Sequence, residues 1–278
     1  MNKDQKILIV GLGLLGGSYA LTLHQAGYYV MGLARRDETI AYAYQHQMID
    51  EGSTDDSLVN KADIIICALY PTIMIDWIRS HAHQFKPTAL ITDVSGVKSG
   101  IVDTIQAMIP NEFISAHPMA GKETSGIEYA NTEMFKQANF IIVPTASNTQ
   151  QAIDTMYQLA NILGFKSISE LSVDEHDEMI AFLSQLTHVI AVSLMNTHDN
   201  SHLVNYTGDS FRDLTRIAKI NENMWSELFL LNREKLLNEI DAFSKELNHF
   251  RAALDQKDSD EMKRLFIQSS KRRKAFDK

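Results

Sequence analysis

Residues 6–18 read KILIVGLGLLGGS, and this stretch decides the fold. The apolar run Lys6–Val10 has the composition of a buried strand. Gly11-Leu12-Gly13-Leu14-Leu15-Gly16 follows at once, and Gly17-Ser18 open a helical stretch, YALTLHQAG. Strand, glycine turn and helix in that order form a cradle for a dinucleotide. The first glycine permits the tight turn, the second lets backbone approach a pyrophosphate, and the third lets helix pack on strand, while the helix N-terminus supplies N–H groups and a positive dipole. Gly11, Leu12, Gly13, Leu14, Leu15 and Gly16 are therefore the expected pyrophosphate contacts.

Outward from this turn, short apolar, β-rich runs alternate with helical stretches: YYVMGL, DIIICALY, ALITDVS, FISAHPM and NFIIVP. Such alternation predicts an α/β Rossmann-type domain with a mostly parallel sheet. All five prolines and eleven of the thirteen glycines lie before residue 145. Beyond about residue 170 the pattern is helical with few breakers, and Ser172-Val173-Asp174-Glu175 fits a capping box at its start. The chain thus divides into a dinucleotide-binding domain, 1–169, and an all-α domain, 170–278. Its 278 residues suit two domains at roughly 100–200 residues each. Thr197–Gly208 is polar and weakly patterned and reads as a loop.

Composition narrows the classes. At 45% hydrophobic and 22% charged the chain is globular rather than disordered or collagenous. The longest apolar runs, such as Ile64–Tyr70, stop short of the roughly 20 residues of a membrane span, and the opening MNKDQK lacks a signal-peptide core. No membrane is expected, and the cytoplasm is the expected compartment. The single cysteine, Cys67, sits inside an apolar run and reads as a small core residue. A net charge of −9 disfavours nucleic acid as a partner. The basic run Lys271–Lys274 reads as a solvated helix end.

The end of the second strand reads Ala34-Arg35-Arg36-Asp37. The acidic residue that would bind an adenosine ribose is missing at its usual place. Ala34 leaves room, and the guanidinium groups of Arg35 and Arg36 can meet a 2′-phosphate, so NADP fits better than NAD. The alternative is that both arginines are ordinary surface residues and Asp37 reaches the ribose of NAD.

Ligands of an open parallel sheet lie beyond the carboxyl ends of its strands. Those ends carry Leu69-Tyr70-Pro71, Asp93-Val94-Ser95-Gly96-Val97-Lys98 and His117-Pro118-Met119-Ala120-Gly121. Leu69 and Tyr70 are expected beside the cofactor. His117 is the candidate general base, because an imidazole accepts a proton near neutral pH. Seen alone, it could equally be a hydrogen-bonded structural residue.

Taken together, GLGLLGGS, DVSGVK, HPMAGKETSG, FLSQLTH and SFRDLTRIAK resemble the prephenate and arogenate dehydrogenases of tyrosine biosynthesis over nearly the whole chain. The resemblance implies a Rossmann-type domain, a helical domain that forms a homodimer, and oxidative decarboxylation of a cyclohexadienol such as prephenate or arogenate, with no metal. It makes His117 the acceptor or base toward the ring hydroxyl and Arg216 a substrate-binding arginine, and it places His188 near the substrate. Arg212, one turn before Arg216, becomes a second anion contact or a partner of Asp213 or Glu222. The family usually reads D-V-x-S-V-K; here Gly96 holds the serine position and Ser95 is the nearest catalytic hydroxyl. Its SHLPH reads Ser184-Gln185-Leu186-Thr187-His188. Lys122 replaces the usual threonine or serine after HPMAG. Lys122 and Lys98 could supply positive charge to the substrate, although two surface lysines are the ordinary account. A β-hydroxyacid dehydrogenase and a non-catalytic NADP-binding regulator are the more distant alternatives; the HPMAG and FRDLTR pair argues against the first, and the retention of His117 with Arg216 against the second. The chain ends soon after its last helix, so any inhibition by tyrosine is expected at the active site and competitive.

Overall fold

The computed structural model describes residues 1–121, 124–199 and 201–276. Eight strands form one sheet: β1 (Lys6–Val10), β2 (Tyr29–Leu33), β3 (Glu51–Ser53), β4 (Ile64–Cys67), β5 (Leu90–Asp93), β6 (Phe113–Pro118), β7 (Asn139–Val143) and β8 (Ser167–Glu170). Their spatial order is β3-β2-β1-β4-β5-β6-β7-β8. Every pairing is parallel except β6 with β7. The central strands are apolar on both faces because helices cover both sides, and β4 is wholly buried. Cys67 lies there, and burial pushes its thiol up.

Five helices flank the sheet: α1 (Leu14–Gln25), α2 (Asp37–Gln45), α3 (Pro71–His81), α4 (Val102–Met108) and α5 (Gln150–Leu163). The chain leaves β1 for β2 on one side and reaches β4 on the other, so the strand order reverses at the end of β1. That is the crevice where such folds bind ligands. The glycine turn stands in it. Helix α1 begins at Leu14, earlier than the Gly17-Ser18 opening read from the sequence, so Gly16 and Gly17 lie inside its first turn. Two strands, β3 and β8, carry no apolar run; both are short and polar, as sheet edges commonly are.

After β8 the chain is helical: α6 (Val173–Ile180), α7 (Leu186–Asn196), α8 (Asp209–Thr215), α9 (Glu222–Leu231), α10 (Arg233–Asp255) and α11 (Ser259–Arg273). The capping box is present: Ser172 accepts from the Glu175 N–H while the Glu175 carboxylate accepts from the Ser172 N–H. The expected loop at Thr197–Gly208 contains a 3₁₀ turn, Ser201–Tyr206. Lys271–Lys274 are exposed at the end of α11, as the sequence suggests.

A π-helical turn, Ala181–Gln185, joins α6 to α7, making one helix over Val173–Asn196. By length and composition this helix could cross a membrane, with a mean hydropathy of 1.5 over an 18-residue stretch of it. A reading by uninterrupted apolar runs misses it, because Ser184, Gln185, Thr187 and His188 break the run. Its buried polar side chains are bonded to other elements: Asp177 to the backbone of Lys98 and Ser99, and Gln185 to Asn232. Phe182 and Leu183 on the same helix are about half exposed within one chain. A groove between α10 and α11 is similarly apolar, lined by Phe243, Leu247, Phe250, Phe266 and Phe276.

Candidate active site

The glycine turn has the geometry its sequence requires. Gly11 adopts φ +96, and a Cβ there would stand 2.5 Å from the Ala68 carbonyl oxygen. A Cβ on Gly16 would fall 1.9 Å from the Gly11 carbonyl oxygen, so helix and turn touch backbone to backbone. Gly13, the N-cap of α1, differs: a Cβ there meets nothing within 4 Å. Open space therefore lies over the first N–H groups of a twelve-residue helix, which is what a pyrophosphate needs. The residues present fit a dinucleotide. Leu14 and Leu15 are half-buried in the first turn of α1, whereas the Leu12 side chain is buried and packs under Gly32, leaving only its backbone toward the turn.

At the end of β2, the Ala34 N–H donates to Ser53 O, and the side chains of Arg35 and Arg36 are exposed. Asp37 accepts a 3.4 Å hydrogen bond from Thr54 Oγ1. Leu69 leans against Gly11, while Tyr70 is exposed and its hydroxyl is 3.5 Å from Asn221 Nδ2. The next N–H, of Thr72, donates to Glu227 at 2.7 Å. These contacts bring the helical region over the β4 edge of the crevice.

Lys98 is not a surface lysine. It is 0% exposed, and its Nζ lies 3.0 Å from Asp93 Oδ2 and donates to Ala116 O at 2.7 Å. Asp93 also accepts from Ser115 Oγ, the Ala116 N–H and the Ser95 N–H. The buried pair thus ties β5 to β6 beneath the rim, where removing one partner would strand the other charge. Burial lowers the Lys98 pKa, with Asp93 opposing it. Ser95 is also buried, and its Oγ makes no hydrogen bond to any described residue. A Cβ on Gly96, by contrast, would stand 3.8 Å from His117 Nε2. Of the two adjacent positions, the one facing the histidine holds the glycine.

His117 is half-buried at the end of β6. Its Nδ1 is 2.9 Å from His176 Nε2, and His176 Nδ1 is 2.7 Å from Asp177 Oδ1. Burial first, and then the nearness of His176 and of the Lys98 ammonium, hold His117 well below the usual histidine pKa. A neutral imidazole follows. The sequence reading passed over His176 and Asp177. Their signal is faint but physical: with Ile180 and Ala181 one turn on, they place charge-bearing groups on the buried stripe of a helix, where such groups need partners.

The remaining candidates gather on the helical side. His188 Nδ1 bonds Ser184 O at 2.8 Å, and its ring centroid lies 3.8 Å from that of Trp225, the two planes tilted by 32°. Arg216 begins a 3₁₀ turn, Arg216–Ala218, because α8 stops at Thr215; Arg212 and Arg216 therefore do not share one continuous α-helix. Arg212 pairs with Asp209 and Thr207 O rather than with Asp213 or Glu222. The loop before α8 curls back within reach of its guanidinium. Lys122 lies outside the described residues.

A Rossmann sheet with a glycine turn at its switch point and a neutral histidine at the end of β6, on the same edge, is the arrangement of a nicotinamide-dependent dehydrogenase. Residues 19–169 match the family described as prephenate dehydrogenase, nucleotide-binding domain, and residues 172–268 match prephenate dehydrogenase, dimerization domain. The chain belongs to the prephenate dehydrogenase family of NAD(P)-dependent oxidoreductases. It is 32% identical to prephenate dehydrogenase of Bacillus subtilis, over 94% of this chain and 73% of that one. To cyclohexadienyl dehydrogenase of Zymomonas mobilis it is 29% identical, over 99% and 97%. Among solved structures, prephenate dehydrogenase of Aquifex aeolicus in complex with hydroxyphenyl propionate and NAD+ superposes with a TM-score of 0.92 at 27% identity, covering 99% of each chain.

Proposed function

We propose that this enzyme oxidatively decarboxylates prephenate to 4-hydroxyphenylpyruvate with NADP, arogenate being the alternative substrate. The observation that carries this reading is His117: a neutral imidazole at the end of β6, on the same edge of the sheet as the glycine turn, with Nε2 toward the space at Gly96. The oxidised nicotinamide, when bound, supplies the hydride acceptor. The backbone from Gly11 to Gly16 and the first turn of α1 hold its pyrophosphate, and Leu69 and Tyr70 border it. Arg35 and Arg36 meet the 2′-phosphate next to Ala34.

His117 Nε2 takes the proton of the ring hydroxyl as hydride leaves the same carbon. The bond to the ring carboxylate then breaks, its electrons enter the ring, and carbon dioxide departs. The phenolate oxygen that results recovers the proton from His117, so no net proton is exchanged. Arg216 and His188 orient the substrate, with Arg212 and Lys122 adding positive charge near its carboxylates; the Ser95 hydroxyl is buried one residue before the position that faces His117. The dinucleotide domain spans 1–169 and the helical domain 170–278. A second copy covers the apolar helix Val173–Asn196 and the α10–α11 groove, giving a homodimer, and the cytoplasm is its compartment.

Steady-state assays with prephenate and arogenate, each with NADP and NAD, test the reading. A charged hydrogen bond contributes about 1.5–3 kcal/mol, so kcat/KM should favour NADP by about tenfold or more. Arg35→Ala should erase most of that gap. Absence of turnover with both substrates overturns the activity, and equal use of NAD would assign the ribose to Asp37.

A further inference from the structure

His117 is held from behind by a chain of groups with one consistent arrangement of protons. Asp177 lies at its far end, completely buried, accepting at Oδ1 from the Lys98 N–H at 2.9 Å and at Oδ2 from the Ser99 N–H at 2.6 Å. Burial alone would raise its pKa, but hydrogen bonds from His176 and Ser99 outweigh that and keep the carboxyl below its ordinary value. An ionised carboxylate only accepts, so the hydrogen between Asp177 and His176 sits on His176 Nδ1. His176 is also fully buried, and burial holds it below the ordinary histidine value in spite of Asp177. The neutral ring then offers a bare lone pair at Nε2. His117 Nδ1, 2.9 Å away, must be the donor to it. This leaves His117 Nε2 without a hydrogen, and that atom is the one facing Gly96. Histidine in water prefers the opposite tautomer, with the hydrogen on Nε2 and nothing there to accept a proton.

We propose that His176 and Asp177 are positioning residues that fix His117 in the tautomer with a free Nε2 and steady the imidazolium formed when Nε2 takes the substrate's proton. The proposal rests on the reading of His117 as the base. When Nε2 gains the hydroxyl proton, the positive charge on His117 points its Nδ1–H at His176, whose other nitrogen is bonded to the buried carboxylate. When the phenolate forms, the same proton returns from Nε2 to oxygen. The reaction borrows a proton and gives it back, so a chain closed off from water serves it without an exit path. The neighbouring charges are Lys98 and Asp93, already paired with each other. Lys98 works against protonation of His117.

Two variants and one spectrum test this in the full-length protein. His176→Phe keeps a buried ring and removes the acceptor, whereas His176→Gln places an amide oxygen near the Nε2 position. The Phe variant should lose about 100-fold or more in kcat, with KM for prephenate and the Kd of NADP within about twofold of the unmodified protein. The Gln variant should recover part of the loss. Imidazole ¹⁵N spectra, with the His117 signals assigned by their disappearance in His117→Ala, should show His117 protonated at Nδ1 and bare at Nε2. In His176→Phe the Nε2–H form should dominate. A His117 that carries its hydrogen on Nε2 in the unmodified protein overturns the proposal, as does near-normal kcat in a folded Phe variant. Should the Phe variant fail to fold, the spectrum of the unmodified protein and the kcat of the Gln variant decide. Near-normal turnover by His117→Ala would overturn the base reading itself, a different result from a wrong tautomer.

Discussion

Gly13 and Gly16 stand three residues apart in one motif and answer to different neighbours. A methyl on Gly16 collides with the Gly11 carbonyl oxygen, so Gly16→Ala should shift the turn, cost about 1–3 kcal/mol of stability and weaken NADP binding by about tenfold or more. A methyl on Gly13 meets no protein atom, so Gly13→Ala should leave urea stability within about 0.5 kcal/mol while still weakening NADP. Equal loss of stability in both would mean that the space over Gly13 is not a ligand's. At the other end of the crevice, His117→Ala removes the proposed base and should lower kcat by about 10²–10⁴ with the Kd of NADP unchanged. Stopped-flow turnover and a fluorescence titration separate the two effects. Lys98 shows where residue-level reading fails: a lysine at a strand end is ordinarily solvated, and only the fold brings Asp93 and Ala116 around it.

Elements were legible where periodicity and punctuation agreed. The six strands that carry apolar runs, the turn after β1 and the start of α6 can all be read directly, because each combines an apolar pattern with a glycine, proline or capping signal. The edge strands β3 and β8 could not be, since Glu-Gly-Ser and Ser-Ile-Ser-Glu owe their conformation to the neighbouring strand. The capping box is the clearest local signal in the helical region. Ser172→Ala should cost about 1 kcal/mol in chemical denaturation, by stranding the Glu175 N–H and freeing its carboxylate. An unchanged midpoint would mean that tertiary contacts alone hold the first turn of α6. The site was half legible for the same reason. Strand ends and glycines announce themselves, whereas the partners of His117 come from a helix 59 residues further on.

The molecule as a whole stores a pH dependence. His117 and His176 are both held below the ordinary value of 6.5, by burial first. In the unfolded chain they take up protons near pH 6.5 that the native state refuses, so their contribution to stability is present above that pH and lost as pH falls below it. The melting temperature should therefore drop between pH 7 and pH 5 at fixed ionic strength, and His176→Gln should flatten the slope. A melting temperature that does not change over this range would mean that the native protein binds those protons too.

Asp177 belongs to the helical region, yet the backbone it caps, at Lys98 and Ser99, belongs to the Rossmann region. The two halves of the chain are therefore separable as folding patterns but not as machinery. Chimeras built by grafting another relative's helical half onto this nucleotide-binding half would import a foreign set of supports for His117. Such hybrids would inherit their dinucleotide preference from the first parent and the basicity of His117 from the second.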